Sequence, residues 1–215
     1  MKVAILGTGA VAIDLAKGFV SRGHSVLFGT RDTNGETAQK AVAAVAGSQA
    51  HLYADAAKAA DMAVLATSWS GAQNALQLAG VANLAGKLVI DVTNPLDFST
   101  GKPRMAIGFP SSAGAQIQGW LPGAHVVKAF NIITSTRMVD PKFADGTPDM
   151  FIAGNDAAAK AKATEIIKAF GWRSAIDMGD IEKSYLLEAI AMTWIEYGVT
   201  RNIWTHGFSL LGAQS

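Results

Sequence analysis

Apolar residues fall in short runs along the chain, and stretches with helical spacing separate them. Val3-Ala4-Ile5-Leu6 comes first, and the pattern predicts a strand over Lys2–Leu6. A helix-like stretch follows from Val11 to about Ser21, and Val26-Leu27-Phe28 predicts a second strand over Ser25–Phe28. Further on, the alternation predicts a helix over Ala38–Ala46, a short strand over His51–Tyr53 and an Ala-rich helix over Ala54–Ala60. Met62–Ala66 and Lys87–Val92 read as strands with a helix over Ala72–Ala79 between them. After a loop rich in Gly, Pro and Ser come a helix over Ala113–Trp120 and a strand over His125–Phe130. Strands over Asp149–Ala153 and Arg173–Asp177 flank a helix over Asp156–Phe170, which Gly171 closes. The last element is a long helix over Ile181–Tyr197, apolar on more than one face. Strand and helix alternating in this way predict an α/β fold: a Rossmann-type doubly wound, mostly parallel sheet with a short C-terminal helical extension.

The first strand breaks into Gly7-Thr8-Gly9-Ala10-Val11-Ala12, a G-x-G-x-x-A pattern. Gly7 permits a tight turn, Gly9 lets backbone approach a pyrophosphate, and Ala12 allows close helix–strand packing. The amides that open the helix then face the phosphates, and the helix dipole favours their charge. The motif alone is a weak signal. Its context, an apolar strand before it and a second strand about 20 residues on, makes it a dinucleotide-binding unit. The second strand ends in Gly29-Thr30-Arg31 rather than in a carboxylate. Arg31, with a planar fork of donors, suits the 2′-phosphate of NADP, and Thr30 adds a hydroxyl. The plainer reading of Arg31 is a solvated surface charge. Asp32 is read as capping the following helix, near Asn34-Gly35-Glu36.

Ligands of such sheets bind beyond the carboxyl ends of the strands. The segments expected there are Gly7–Val11, Thr30-Arg31, Thr67-Ser68-Trp69, Asn94-Pro95 and Lys128-Ala129-Phe130-Asn131. The first two should hold phosphates, with Thr8 and Val11 giving mainly backbone contacts. The others should lie nearer the nicotinamide.

Half of the 215 residues are hydrophobic and only 16% are charged, which gives a large core and excludes disorder. The net charge is +1 with no basic stripe, so nucleic acid is not an expected partner. No cysteine is present, which excludes disulfide and thiol chemistry. The four histidines are too scattered for a metal site, and His24 and His125 read as strand-entry residues. No leader pattern and no membrane-length apolar run is seen, so the expectation is a cytoplasmic protein without a membrane partner.

Several segments together carry a family likeness. They are Gly7-Thr8-Gly9, Gly29-Thr30-Arg31-Asp32, Val127-Lys128-Ala129-Phe130-Asn131, Val139-Asp140-Pro141, Phe151-Ile152-Ala153-Gly154-Asn155-Asp156, Phe170-Gly171-Trp172 and Ile176-Asp177-Met178-Gly179-Asp180. On these the chain resembles, nearly end to end, the small NADPH-dependent deazaflavin (coenzyme F420) oxidoreductases and their bacterial relatives. The resemblance implies hydride transfer between NADP(H) and a flavin-like small-molecule acceptor: coenzyme F420, FMN or FAD. It also implies that Thr30 and Arg31 grip the 2′-phosphate. Ser68 departs from the Pro-Trp that some members carry before Trp69. Lys128–Asn131 match the bacterial and metalloreductase pattern better than the archaeal deazaflavin enzymes.

Two other readings stand beside this one. Lys128 as general acid with Asn131 orienting substrate would make a keto-acid or imine reductase. Against that, Lys128 can snorkel at a strand end while Asn131 makes a turn bond. A non-catalytic NADP-binding regulator is the other reading. Residues 1–180 are expected to form the NADP-binding unit, and 181–215 an extension serving the acceptor site, a homodimer contact, or both. The aromatic residues of that tail (Trp194, Tyr197, Trp204, Phe208) fit core packing or subunit contact, or a wall for a flat second ligand.

Overall fold

A computed structural model describes residues 1–212. Eight strands form one sheet in the order β10-β9-β8-β5-β4-β1-β2-β3. They are β1 (Lys2–Leu6), β2 (Ser25–Thr30), β3 (Gln49–Leu52), β4 (Met62–Leu65), β5 (Leu88–Asp91), β8 (His125–Lys128), β9 (Met150–Gly154) and β10 (Ala175–Asp177). A two-stranded hairpin, β6 (Leu96–Asp97) with β7 (Arg104–Met105), stands apart in what the sequence suggests is plain loop. The helices are α1 (Ala10–Ser21), α2 (Glu36–Ala44), α3 (Tyr53–Ala59), α4 (Trp69–Ala79), α5 (Val81–Leu84), α6 (Ala113–Trp120), α7 (Ala157–Ala169) and α8 (Ser184–Arg201).

All pairings in the large sheet are parallel except β8 with β9. The link from β8 to β9 holds only a 3₁₀ turn, Ser135–Arg137, and no crossover helix. It therefore returns to the sheet at the end it left.

The apolar runs are continuous because helices cover both faces of the sheet. Val3 and Ile5 of β1 pack into one core cluster and Ala4 and Leu6 into the other. β4 divides in the same way: Met62 and Val64 to the first side, Ala63 and Leu65 to the second. Ile181 belongs to the second cluster, and Ala191 of α8 to the first.

The chain leaves β1 toward β2 and β3 and then crosses back to β4 on the other side of β1. The carboxyl ends of β1 and β4 thus flank a topological switch point, where α/β sheets open a crevice. β8 ends at Lys128, two residues short of the predicted strand. Phe130 has a left-handed φ of 62°, which turns the chain out of the strand, and its amide donates to Met150 Sδ.

Candidate functional site

At that switch point the glycine turn meets the start of α4. Gly7 has φ 129°, and a Cβ there would sit 2.5 Å from the Ala66 carbonyl oxygen, so the turn itself requires glycine. Gly9 is different. Its φ is −79° and a Cβ would meet no protein atom within 4 Å. Neither conformation nor packing in this chain asks for glycine there, which leaves close approach by a ligand as its reason. Gly9 is the N-cap of α1, no side chain caps that helix, and its first turn holds no acidic residue. The opening amides stay free for an anion.

The crevice that opens from this turn has a volume of about 430 Å³, within the size of small-molecule sites. Of the sequence-predicted residues, Gly9, Ala10, Val11, Thr67, Ser68, Trp69, Asn94 and Asn131 line it. Val92, Thr93, Ile133, Ser135 and Met138 also line it, and periodicity alone could not single them out. Two lining residues hold buried polar atoms without a partner among the described residues, Thr67 Oγ1 and Asn131 Oδ1. Buried polar atoms are ordinarily paired, so both point to a polar ligand. Trp69 stacks on Trp120, with ring centroids 5.5 Å apart, which fixes one wall. Leu96 and Phe98 bring the β6–β7 hairpin to the rim, and Phe98 is exposed. A wider hollow of about 630 Å³ lies elsewhere, between the 143–148 turn and the C-terminal tail. It lacks the glycine turn.

At the end of β2, Arg31 is exposed and makes no ion pair or hydrogen bond among the described residues, which leaves its fork of donors free. Asp32 does not cap α2, whose N-cap is Gly35 without a side-chain bond. Its Oδ1 accepts from the Asn34 amide at 2.9 Å, an Asx turn that closes two residues on. Thr30 is buried, and its hydroxyl donates to the Asp32 carbonyl at 3.2 Å. Its hydroxyl thus shapes the turn that presents Arg31.

Lys128, Ala129 and Phe130 do not line the crevice. Ala129 and Phe130 are buried, and the Phe130 ring packs against Phe170 and Trp172. Lys128 is fully buried, so it does not snorkel, and the reason is its partners. Its Nζ lies 2.6 Å from Asp91 Oδ2 and 3.1 Å from Glu188 Oε1, and donates to the Thr93 carbonyl at 2.7 Å. Burial alone pulls the ammonium's pKa down, but the two carboxylates outweigh it and hold the pKa above the ordinary lysine value. All three donors of Lys128 are thus engaged inside the protein, and the residue is not among those that line the crevice. The strand and helix pattern does not single out Asp91 and Glu188 as partners of Lys128. The signal was present as one charge inside each of three apolar runs, around Asp91, Lys128 and Glu188.

Asn131 sits beside this cluster. Its Nδ2 donates to Asn94 Oδ1 at 3.0 Å and to the Leu187 carbonyl at 3.1 Å, while Asn94 Nδ2 donates to the Asn131 carbonyl at 2.7 Å.

Residues 2–95 match the family described as "NADP oxidoreductase coenzyme F420-dependent". A crystal structure from Arthrobacter sp. FB24, provisionally named an F420-dependent NADP-reductase, is 36% identical with a TM-score of 0.93, and the match covers 100% of both chains. The chain belongs to the F420-dependent NADP oxidoreductase family. The F420-dependent NADP reductase of Methanocaldococcus jannaschii is 29% identical over 88% of this chain and 89% of its own. The rat metalloreductase STEAP3 is 30% identical over 89% of this chain, which spans only 36% of that protein's length. This family member is thus an NADP-dependent oxidoreductase, and its unpaired crevice atoms and free α1 amides fit the dinucleotide. Among the described residues no helix is long and apolar enough to cross a membrane, and no cluster of three metal-ligating side chains occurs.

Proposed function

We propose that the enzyme transfers hydride between NADP(H) and a flavin-like ring, coenzyme F420, FMN or FAD. One observation carries this reading: no side chain lining the crevice among the described residues is ionisable. Hydride delivered to a keto acid leaves an alkoxide, which needs a proton donor in the site. A deazaflavin or flavin ring delocalises the charge it gains over its own conjugated system. Lys128, the one candidate donor, is sealed away. The keto-acid alternative is therefore disfavoured.

In this reading the free amides at Gly9–Val11 hold the pyrophosphate, and Arg31 grips the 2′-phosphate. Thr67 and Asn131 supply polar contacts near the nicotinamide, with Asn131 Oδ1 accepting from its carboxamide. When bound, the reduced nicotinamide supplies the hydride. The protein positions the rings and excludes water, with Trp69 as one wall and Phe98 at the mouth. Residues 1–180 serve the nucleotide. The segment 181–215, of which 213–215 lie outside the described residues, serves the acceptor side and a second copy of the chain. Exposed Tyr197, Val199, Ile203 and Trp204 on and beyond α8 support a homodimer.

Two measurements test this reading. NADPH oxidation, followed by its near-ultraviolet absorbance, is expected with coenzyme F420, FMN or FAD and not with keto acids or imines. Turnover on a keto acid or an imine alone overturns the proposal. Arg31→Ala is expected to raise the Kd for NADPH about 10- to 100-fold, as loss of a charged hydrogen-bonding partner does, and to leave NADH unchanged. Equal weakening of both removes the 2′-phosphate role.

A further inference from the structure

The buried charge cluster lies behind the nicotinamide side of the crevice and holds no reacting atom. A buried ion cluster is seldom a source of net stability, since apolar packing does as well, so its position asks for another explanation. Three polar residues that line the crevice, Thr93, Asn94 and Asn131, are tethered to the cluster or to α8. Thr93 is held by Lys128 through its carbonyl. Its amide and hydroxyl donate to Asp91 Oδ1, at 2.9 and 2.7 Å. Asn131 is held by the Leu187 carbonyl, one residue before Glu188, and Asn94 is held by Asn131. Glu188 is the hub. Besides Lys128, its carboxylate accepts from the amides of Ala113 and Gly114, each at 3.1 Å, and so binds the start of α6. One side chain thus joins α8, the end of the loop that follows the hairpin, and the floor of the crevice.

We infer that Glu188, through Lys128 and the neighbouring Leu187 carbonyl, is a positioning residue for the nicotinamide half of the cofactor site. It fixes α8 against β5 and β8, so that Asn131 Nδ2 is committed to Leu187 and Asn94 and its Oδ1 is left to the ligand. The adenosine half, held at the ends of β1 and β2, does not touch this network. This inference rests on the placement of the cofactor proposed above.

The two halves can be weighed separately on the full-length protein. Calorimetric Kd values for NADPH and for adenosine 2′,5′-bisphosphate, which lacks the nicotinamide, are compared in wild type, Glu188→Gln, Asn131→Ser and the double variant. Each single variant is expected to weaken NADPH about tenfold, the worth of one hydrogen bond, and to leave the bisphosphate unchanged. The double variant should weaken NADPH no more than Asn131→Ser alone, because Glu188 acts through Asn131. If Glu188→Gln does not fold, the neutral triple variant D91N/K128M/E188Q, which buries no unpaired charge, should show the same selective loss. Equal weakening of both ligands or no weakening in Glu188→Gln, or additive losses in the double variant, overturns the inference and leaves the cofactor placement standing, whereas an Asn131→Ser protein that binds NADPH as tightly as wild type overturns the placement and the inference with it. A wild type that binds neither ligand overturns the placement, and the inference with it.

Discussion

Gly9→Val is expected to abolish binding of NADPH and NADH alike while the protein stays folded. The structure separates these two effects. A Cβ at Gly9 meets nothing within 4 Å, and φ −79° is open to any residue. Losing glycine as N-cap costs about 1 kcal/mol, well within a domain's margin. The added branches project where a pyrophosphate must approach the first amides of α1. Displacing it forfeits at least two charge-assisted hydrogen bonds, or more than a hundredfold in Kd at about 1.5–3 kcal/mol each. Gly7→Ala provides the contrast. Its Cβ would meet the Ala66 carbonyl oxygen at 2.5 Å with φ 129°, so it should lower the melting temperature before any ligand is added. Calorimetry with both dinucleotides, beside a thermal melt, checks both variants. A Gly9→Val protein that folds and binds NADPH normally would remove the phosphate role of this turn.

The contrast also shows what the sequence can say about a site. Both glycines are legible as a pattern, because strand, turn and helix follow one another within a dozen residues. That the fold itself requires glycine at position 7 depends on Ala66, 59 residues on, and periodicity carries no such information. The same limit explains Asp32. Its place before a helix suggested a cap, but a carboxylate two residues from a free amide closes an Asx turn first. At the strand ends, the predicted segments Thr67-Ser68-Trp69 and Asn94 reach the crevice because a strand end fixes its own neighbours. Ile133, Ser135 and Met138 reach it through an irregular link whose path the hydrophobic pattern does not encode. Phe130 fails for a related reason. The left-handed turn at this residue directs its ring into the core, where alternation along a continuing strand would have placed it otherwise.

Lys128→Ala is expected to cost about 3–5 kcal/mol of folding stability, the usual penalty for removing one partner of a buried ion pair. Asp91 and Glu188, both fully buried, are left facing each other without their shared cation. Glu188 keeps the Ala113 and Gly114 amides, and Asp91 keeps Thr93, so the loss should fall short of complete unfolding. The pH dependence distinguishes this cause from a simple cavity. In the wild type the folded-state pKa of Lys128 is raised. Its stabilising contribution is therefore fully present below the ordinary lysine pKa and is lost only as pH climbs through the raised value. Urea melts at rising alkaline pH should show the gap between variant and wild type constant below the ordinary lysine pKa and narrowing above it. A gap that stays constant there too would mean that lost packing, rather than its charge, is what Lys128 supplies.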